Sequence, residues 1–382
     1  MIDIDYSANK LCSRLQVVDE LLKGDITPKE KMILCNYKDN LFFAISIINE
    51  RKRYSRKRHV FGSYKYYKKF KKKLLNINNS VLDNIIDNKE FLNNYFGKVN
   101  SCVEQNLPND IDFGVDLYKE ISMGEFNDIF YQFMKDMNLE GFLEEFLDRG
   151  RIYTYDFSRD SMLGYTLFNP ITHDTDILVG EFIPDIAALF TLAHEVGHAY
   201  DLSLFEKSMA DYNRYYYQSF YGEAYSKLFE RKLLSYMIRN DIMKAEAQDR
   251  MLVNEKDNHN YLLASYILTL LDDYYIEKSR YEKLTRGKLT SLVQNNFKTD
   301  IGEFIESIDY FDISEDFIYA FGDIISMFLL DEVDRVGFSG KLNQKYLAER
   351  HKMFNPDFIQ DNGLSPDKYS DLYKKQLKLL KK

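Results

Sequence analysis

The sequence of 382 residues predicts a mainly α-helical protein with a small β-sheet near the middle of the chain. Proline in a helix interior costs about 3 kcal/mol, and the 171 residues between Pro184 and Pro356 contain none. Apolar residues recur there at helical spacing, for example from Tyr261 through Leu271. Three short segments within 151–182 are instead β-branched or aromatic and are bounded by Gly, Pro, Asn or Asp, a pattern typical of strands.

The order of these patterns predicts two regions. Residues 1–150 are expected to form a helical N-terminal region, in which Asn, Asp and Gly separate the helices. Residues 151–382 are expected to carry the chemistry, with short strands over 151–182 followed by helices. The predicted strands are Ile152–Tyr155, Tyr165–Phe168 and Asp176–Val179.

Composition excludes several classes of protein. Hydrophobic residues make up 45% of the chain and charged residues 29%, which is ordinary for a folded globular protein and excludes a disordered, collagen-like or disulfide-stapled chain. The net charge of −9 disfavours general nucleic-acid binding. Cys12, Cys35 and Cys102 are odd in number and show no CxxC spacing, so we expect neither a disulfide framework nor a cysteine zinc site.

The location expected from the sequence is cytoplasmic, without a membrane partner. The first five residues are acidic, where a secretory signal would be basic and then apolar. The longest apolar stretches fall short of the ~18 clean apolar residues that a spanning helix needs. These stretches are Ile183–Ala193, Tyr261–Leu271 and Phe317–Leu330.

A basic stretch, residues 51–73, departs from the acidic average. It contains twelve Lys or Arg residues and no Asp or Glu, with Tyr and Phe between them. Two interpretations stay open: a surface for an acidic partner such as nucleic acid, an anionic membrane or an acidic peptide, or a solvated helical face whose aromatic residues pack inward. The rest of the chain is strongly acidic, so any such partner would have to meet this stretch alone.

The most specific motif is His194-Glu195-Val196-Gly197-His198, which follows an apolar run beginning at Ile186. On a helix, residues four apart lie on one face, about 5–6 Å between Cβ atoms, so both imidazoles can reach one Zn²⁺. Glu195 can then lean over the open coordination position, take a proton from water and pass it to a leaving amine. A chance HExxH string is the alternative, but the predicted helix and the strands just upstream favour a metal site.

A catalytic zinc site needs a third protein ligand from another element. Glu223 fits best, because it lies 25 residues past His198, enough for a loop and the start of a second helix. Glu230 lies two turns further along the same helical face and could accept a hydrogen bond from a ligand histidine. Asp201 is either a similar acceptor or an ordinary solvated aspartate. One zinc ion per chain is therefore expected.

The motifs resemble those of the oligoendopeptidase F and thimet oligopeptidase family of zinc metallopeptidases. Residues 191–199, Thr-Leu-Ala-His-Glu-Val-Gly-His-Ala, are similar to that family's TLAHExGHA signature, and Glu223 through Glu230 to its ExxSxxxE signature. Gly164-Tyr165-Thr166 resembles a strand lining the family's substrate cleft, and residues 317–322 a shortened form of its tyrosine segment. The useful motifs cover roughly residues 150–340.

The resemblance implies a zincin-like, mainly α fold with a small sheet beside the active-site helix and an enclosed cleft. It assigns zinc binding to His194, His198 and Glu223, the general base to Glu195 and an oxyanion hydrogen bond to Tyr319. It places the substrate near Gly164 and Tyr165.

This chain departs from the family in three ways. Residues 300–320 lack the family's histidine, so Tyr310 is the expected substitute donor. Asp201 stands where members often carry another histidine. The N-terminal half is short.

Two functions from different classes follow. The first is a zinc endopeptidase that hydrolyses peptide bonds in oligopeptides, acidic ones among them. The second is a non-catalytic protein that keeps the zincin scaffold and binds an acidic partner through residues 51–73. An intact set of His194, Glu195, His198 and Glu223 favours the enzyme. The sequence leaves cleavage preference, physiological substrate and oligomeric state open.

Overall fold

The computed structural model describes residues 2, 4–5, 7–50, 85–108, 120–149, 151–155, 164–180, 183–204, 223–270, 313–349 and 355–380. The predicted mainly helical chain with a small sheet is confirmed. The basic stretch 51–73 and Tyr310 lie outside the described residues.

The helices within the described ranges are named here in chain order. They are α1 (Asn9–Leu21), α2 (Pro28–Glu50), α3 (Lys89–Asn106), α4 (Met123–Asp136), α5 (Glu140–Arg149), α6 (Ile186–Ser203), α7 (Glu223–Arg239), α8 (Lys244–Leu270), α9 (Ile313–Val336), α10 (Lys341–Glu349), α11 (Pro356–Asp361) and α12 (Pro366–Leu380), with a 3₁₀ turn at Gly337–Ser339.

The strands are β1 (Ile4–Asp5), β2 (Ile152–Tyr155), β3 (Gly164–Phe168) and β4 (Thr175–Gly180). The last three confirm the three predicted strands, whereas β1 was not predicted. The order in the sheet is β1-β2-β4-β3; β1 and β4 run parallel to β2, and β3 runs antiparallel to β4. Within the described residues β3 therefore ends the sheet and pairs on one side alone.

The two faces of the sheet have different neighbours. Side chains alternate along a strand, and Tyr153, Leu167 and Leu178 share the face that packs against α1 and α2. The opposite face of β3 and β4 packs against α6. The Thr166 side chain therefore points toward α6, and Gly164, two residues earlier, presents its bare Cα to the same face.

A buried ion pair joins α1 to the sheet. The guanidinium of Arg14 contacts the fully buried carboxylate of Asp176 on β4, and its second nitrogen lies 3.5 Å from Asp174. Because each buried charge has an opposite partner, the cost of removing both from water is partly offset.

Local sequence explains where two of these helices begin. At α2, Thr27 and Glu30 form a capping box: the Thr27 N–H donates to Glu30 Oε2 (2.8 Å) and the Glu30 N–H donates to Thr27 Oγ1 (3.2 Å). At α6, the buried Asp185 carboxylate accepts from the Ala188 N–H at 2.7 Å. The cap fixes the start of α6, two turns before the HExxH motif.

The chain forms two compact units, one of residues 1–73 and 115–247, the other of residues 74–114 and 248–382. These units are not divided at residue 150, where the sequence patterns change. The N-terminal segment belongs with the sheet because β1 pairs with β2 and because α1 and α2 cover one sheet face. Helix α3 belongs with the C-terminal helices because it packs against α12.

The second unit has an aromatic core. Phe96 on α3 packs against Phe317 and Phe321 on α9, with ring centroids 5.3 and 5.2 Å apart. The Tyr95 hydroxyl, also on α3, donates to the backbone oxygen of Leu364 at 2.8 Å. Burial raises the pKa of Tyr95, so this phenol keeps its proton and remains a donor.

Among the helices of the described ranges, none is both long enough and apolar enough to cross a lipid bilayer.

Replacing Asp185 by Ala should destabilise the start of α6, because the Ala188 N–H then loses its acceptor. Loss of a helix N-cap typically lowers the free energy of unfolding by about 1 kcal/mol. Urea denaturation followed by far-UV circular dichroism measures the change. Asp185→Asn keeps a capping oxygen and is the matched control; equal stability of the Ala and Asn variants would contradict the assignment.

Candidate metal centre

Two histidines on α6 face the same direction. His194 and His198 are one helical turn apart, and their ring centroids lie 4.9 Å apart with ring planes inclined by 80°. Both side chains are 17% exposed, on a helix that is otherwise largely buried. The spacing of the motif therefore produces the paired imidazoles that the sequence predicts.

Close contact between α6 and α7 brings the third predicted ligand to this pair. Gly197 faces α7, and a Cβ atom at that position would lie 2.7 Å from Ser226 Cα and 2.8 Å from the Tyr225 backbone oxygen. Such distances are shorter than van der Waals contact, so only glycine permits this helix separation. Glu223, the first residue of α7, is thereby placed opposite the histidines.

The Glu223 carboxylate bridges the two imidazoles. Its Oε2 lies 3.5 Å from His194 Nε2 and its Oε1 lies 3.5 Å from His198 Nε2. The Ser226 hydroxyl lies 3.0 Å from Glu223 Oε2 and 2.8 Å from the Glu223 backbone oxygen, so its proton can serve either acceptor. Ser226 therefore restrains the carboxylate from within the same helical turn.

Glu230 orients the first histidine. Its Oε1 lies 2.5 Å from His194 Nδ1, and because an ionised carboxylate only accepts, the Nδ1 atom carries the shared proton. This leaves Nε2 directed at Glu223. The ammonium of Lys227, which is 7% exposed, lies 3.7 Å from the same Glu230 oxygen and partly compensates its buried charge.

Glu195 lies between the histidines in sequence but turns toward the sheet. The Thr166 hydroxyl on β3 donates to Glu195 Oε2 at 2.6 Å. A Cβ atom at residue 164 would lie 2.6 Å from Glu195 Cδ, so the carboxyl group occupies space that is open because residue 164 is glycine. The structure thus brings Gly164, Thr166 and Glu195 into direct contact.

Burial sets the acid–base properties of Glu195. Removal from water disfavours the carboxylate and raises the pKa of Glu195 to about 7, against the lowering effects of His194 and of the Thr166 hydrogen bond. The negative charges of Glu223 and Glu230 act in the same direction as burial. A carboxyl group with a pKa near neutrality can both accept and return a proton in one reaction cycle.

The two histidines differ in protonation. Burial lowers the pKa of His198 to about 4, so at neutral pH its imidazole is uncharged. Burial also acts to lower the pKa of His194, but the Glu230 hydrogen bond and the charges of Glu223, Glu230 and Glu195 outweigh it and raise that pKa above the usual value. Because a metal binds only an unprotonated Nε2, the raised pKa of His194 makes protons compete with a cation for this nitrogen.

The donor set fits a zinc ion. Among the described residues, His194, His198 and Glu223 form a cluster that could hold a metal ion. Their ligand atoms all lie within 4.8 Å of one another. Two imidazole nitrogens and one carboxylate oxygen are a donor set that zinc takes in catalytic sites. The buried carboxylates around them also favour a compensating divalent cation.

The remaining predicted residues have other positions. Asp201 is buried on α6 at 2% exposure, and its contact with a ligand histidine stays a prediction. The Tyr165 side chain lies on the opposite sheet face from Glu195, with its ring 5.6 Å from that of Phe43, so its backbone is the part available to a substrate. Tyr319 lies on α9 in the second unit and stacks on Tyr261 at 4.9 Å; its oxyanion role stays a prediction.

Three residues of the site received no role from the sequence. Thr166 holds Glu195, Ser226 contacts Glu223 and Lys227 pairs with Glu230. Spacing gave a signal for two of them, because Ser226 lies three residues after Glu223 and Lys227 three before Glu230 on one helix. Thr166 gave none, since a sequence does not show which strand face meets a helix 29 residues away.

Comparison with known proteins gives no relative for this chain: no protein-family model matches it, and neither a curated protein nor a solved structure matches it significantly.

Replacing Gly197 by Ala should weaken zinc binding, because the added methyl group pushes α7 and Glu223 away from the histidines. We expect a loss of affinity of about 10- to 100-fold, the usual effect of disturbing the supports of metal ligands. Competition with a chromophoric chelator measures it. Gly141→Ala, at a helical glycine with no atom within 4 Å of the added Cβ, is the matched control. An unchanged affinity in Gly197→Ala would show that the helix contact does not set the ligand geometry.

Zinc affinity should fall as the pH is lowered through the pKa of His194. That pKa is raised above 6.5, and a metal binds only the deprotonated nitrogen. At pH values below this pKa, the binding of each zinc ion should therefore release one proton from His194. His198, with a pKa of about 4, contributes nothing there. Glu230→Gln removes a cause of the raised pKa and should move the fall to lower pH. Isothermal titration calorimetry in buffers of different ionisation enthalpy counts the released protons. Every protein carries Glu195→Gln, so that Glu195, with a pKa of about 7, does not add to the count. Zinc binding without proton release would contradict the prediction.

Proposed function

We propose that the chain is a zinc-dependent endopeptidase that hydrolyses peptide bonds in oligopeptides. The observation that carries the proposal is the convergence of His194, His198 and Glu223, with donor atoms within 4.8 Å, beside a buried carboxyl group at Glu195. A zincin-like fold of the oligoendopeptidase F and thimet oligopeptidase type belongs to the same proposal. It is supported by the motif resemblance and by a small sheet that packs directly on the helix bearing HExxH.

His194, His198 and Glu223 would hold the zinc ion, and Glu230 would keep His194 Nε2 directed toward it. When bound, the ion supplies a Lewis acid that polarises the scissile carbonyl and makes water more acidic.

The substrate is proposed to bind along β3, the last strand in the sheet order β1-β2-β4-β3 of the described residues. An extended peptide would add to this strand through main-chain hydrogen bonds. On the strand face toward α6, the Thr166 hydroxyl contacts Glu195, and the carboxyl group of Glu195 lies against the bare Cα of Gly164. A peptide paired with β3 would therefore run beside the general base.

Proton transfer is assigned to the Glu195 carboxylate. It takes a proton from the water that attacks the scissile carbonyl carbon, and it delivers that proton to the nitrogen of the leaving amine as the C–N bond breaks. A pKa of about 7 suits both steps.

Tyr319 and Tyr310 are proposed as hydrogen-bond donors to the oxyanion. A reducing, cytoplasmic compartment is proposed separately, from the cysteine content.

Replacing Glu195 by Gln should abolish most of the cleavage while zinc remains bound, because the amide cannot accept the proton of the attacking water. A loss of about 100-fold or more in kcat is expected for a missing general base. The assay uses a quenched fluorescent peptide library, with zinc content from atomic absorption and with chelator-treated protein in parallel. Glu20→Gln, at an exposed carboxylate on α1, is the matched control.

Two outcomes would overturn the proposal. If Glu195→Gln cleaves peptides at the full rate with zinc bound, the proton-transfer assignment is wrong. If the unaltered protein binds zinc stoichiometrically but cleaves no peptide in the library, the result favours the zincin-scaffold alternative, whose basic stretch 51–73 lies outside the described residues.

A further inference from the structure

Thr166 on β3 makes a direct polar contact with Glu195 on α6. The Thr166 hydroxyl lies 2.6 Å from Glu195 Oε2 and 3.3 Å from the Glu195 backbone oxygen. A hydroxyl has one proton to donate, and the shorter contact to a charged acceptor is the stronger bond. The proton of Thr166 is therefore committed to Oε2.

The backbone of β3 holds both carboxyl oxygens in place. Residues 164 and 166 lie on the same strand face because side chains alternate with a period of two. A Cβ atom at residue 164 would overlap Glu195 Oε1, so this oxygen lies over the bare Cα of Gly164. The pairing of Gly164 with Val179 and of Thr166 with Ile177 fixes both contacts relative to the sheet.

We propose that Thr166 is a positioning residue for the proposed peptidase reaction: it holds Oε2 of Glu195 so that Oε1 is the oxygen that receives and returns the proton. The proposal rests on the proposed function. The Thr166 proton stays on its hydroxyl throughout, and the proton that moves passes from water to Oε1 and then to the leaving amine. Because β3 is also the proposed substrate strand, one strand aligns both the peptide and the base.

Kinetics of two variants test the role. Thr166→Val keeps the β-branched shape and removes the hydroxyl, so kcat should fall by about 10-fold or more, the rate equivalent of one hydrogen bond to a charged acceptor. KM and zinc content should stay unchanged, because the backbone of β3 is retained. Thr166→Ser restores the hydroxyl and should recover most of kcat.

The matched control is Thr175→Val on the neighbouring strand. Thr175 is buried and makes no hydrogen bond to Glu195 within the described residues, so its variant should keep both kcat and KM. Full kcat in Thr166→Val would overturn the proposal. Equal loss in Thr166→Val and Thr166→Ser would also overturn it, since packing and not the hydroxyl would then be responsible.

A second measurement needs no cleavage and no zinc. In the metal-free protein, Thr166→Val should lower the urea midpoint clearly more when Glu195 is present than in a Glu195→Ala background, because there the carboxylate acceptor is absent and only the longer 3.3 Å contact to the backbone oxygen remains. Equal shifts in both backgrounds would overturn the inferred contact. If the contact is measured but no variant or parent protein cleaves peptides, the proposed function fails while the Thr166–Glu195 bond stands.

Discussion

The close approach of α6 and α7 at Gly197 is the constraint on which the rest of the site depends. The HExxH spacing places two imidazoles on one helical face, but two imidazoles alone do not make a catalytic metal site. The third ligand comes from a different helix, and the distance between the helix axes decides whether it reaches. Because residue 197 has no Cβ, the backbone of α7 at Ser226 contacts α6 directly, and Glu223 lies 3.5 Å from each ligand nitrogen.

Charge is the second constraint, and it follows from the first. Packing two helices and a sheet this closely removes water from Glu195, Glu223 and Glu230 together. Three buried carboxyl groups repel one another, so each needs compensation: a hydroxyl from Thr166, a hydroxyl from Ser226, and the pair of His194 and Lys227. Burial is the main cause of the raised pKa of Glu195, and the charges of Glu223 and Glu230 act in the same direction. The Glu230 hydrogen bond and the nearby carboxylates raise the pKa of His194 against the effect of burial. A divalent cation is the partner that would neutralise these negative charges.

Sequence reasoning located the parts of the site whose spacing is local. The four-residue separation of the histidines, the seven-residue separation of Glu223 and Glu230, and the three strands upstream follow from helix and strand periods. Sequence reasoning could not predict the contacts between distant segments. Strand β1, which pairs with β2 through Ile4 and Ile152, has only two residues, too few for a periodic pattern. For the same reason the change of pattern at residue 150 did not show that residues 1–73 and 115–247 pack as one unit.

The two faces of β3 show how strand register decides which residues meet Glu195. Leu167 and Tyr165 point into the core that α1 and α2 cover, whereas residues 164 and 166 point at Glu195. Because side chains alternate between the two faces, a shift of one residue along the strand would bring Tyr165 to Glu195 and Thr166 to the core. The burial of Leu167 and Leu178 on the core face opposes such a shift, and the apolar core thereby also fixes which residues of β3 meet the Glu195 carboxyl group. Alternate positions of one short strand thus divide between the core and the contacts of Glu195.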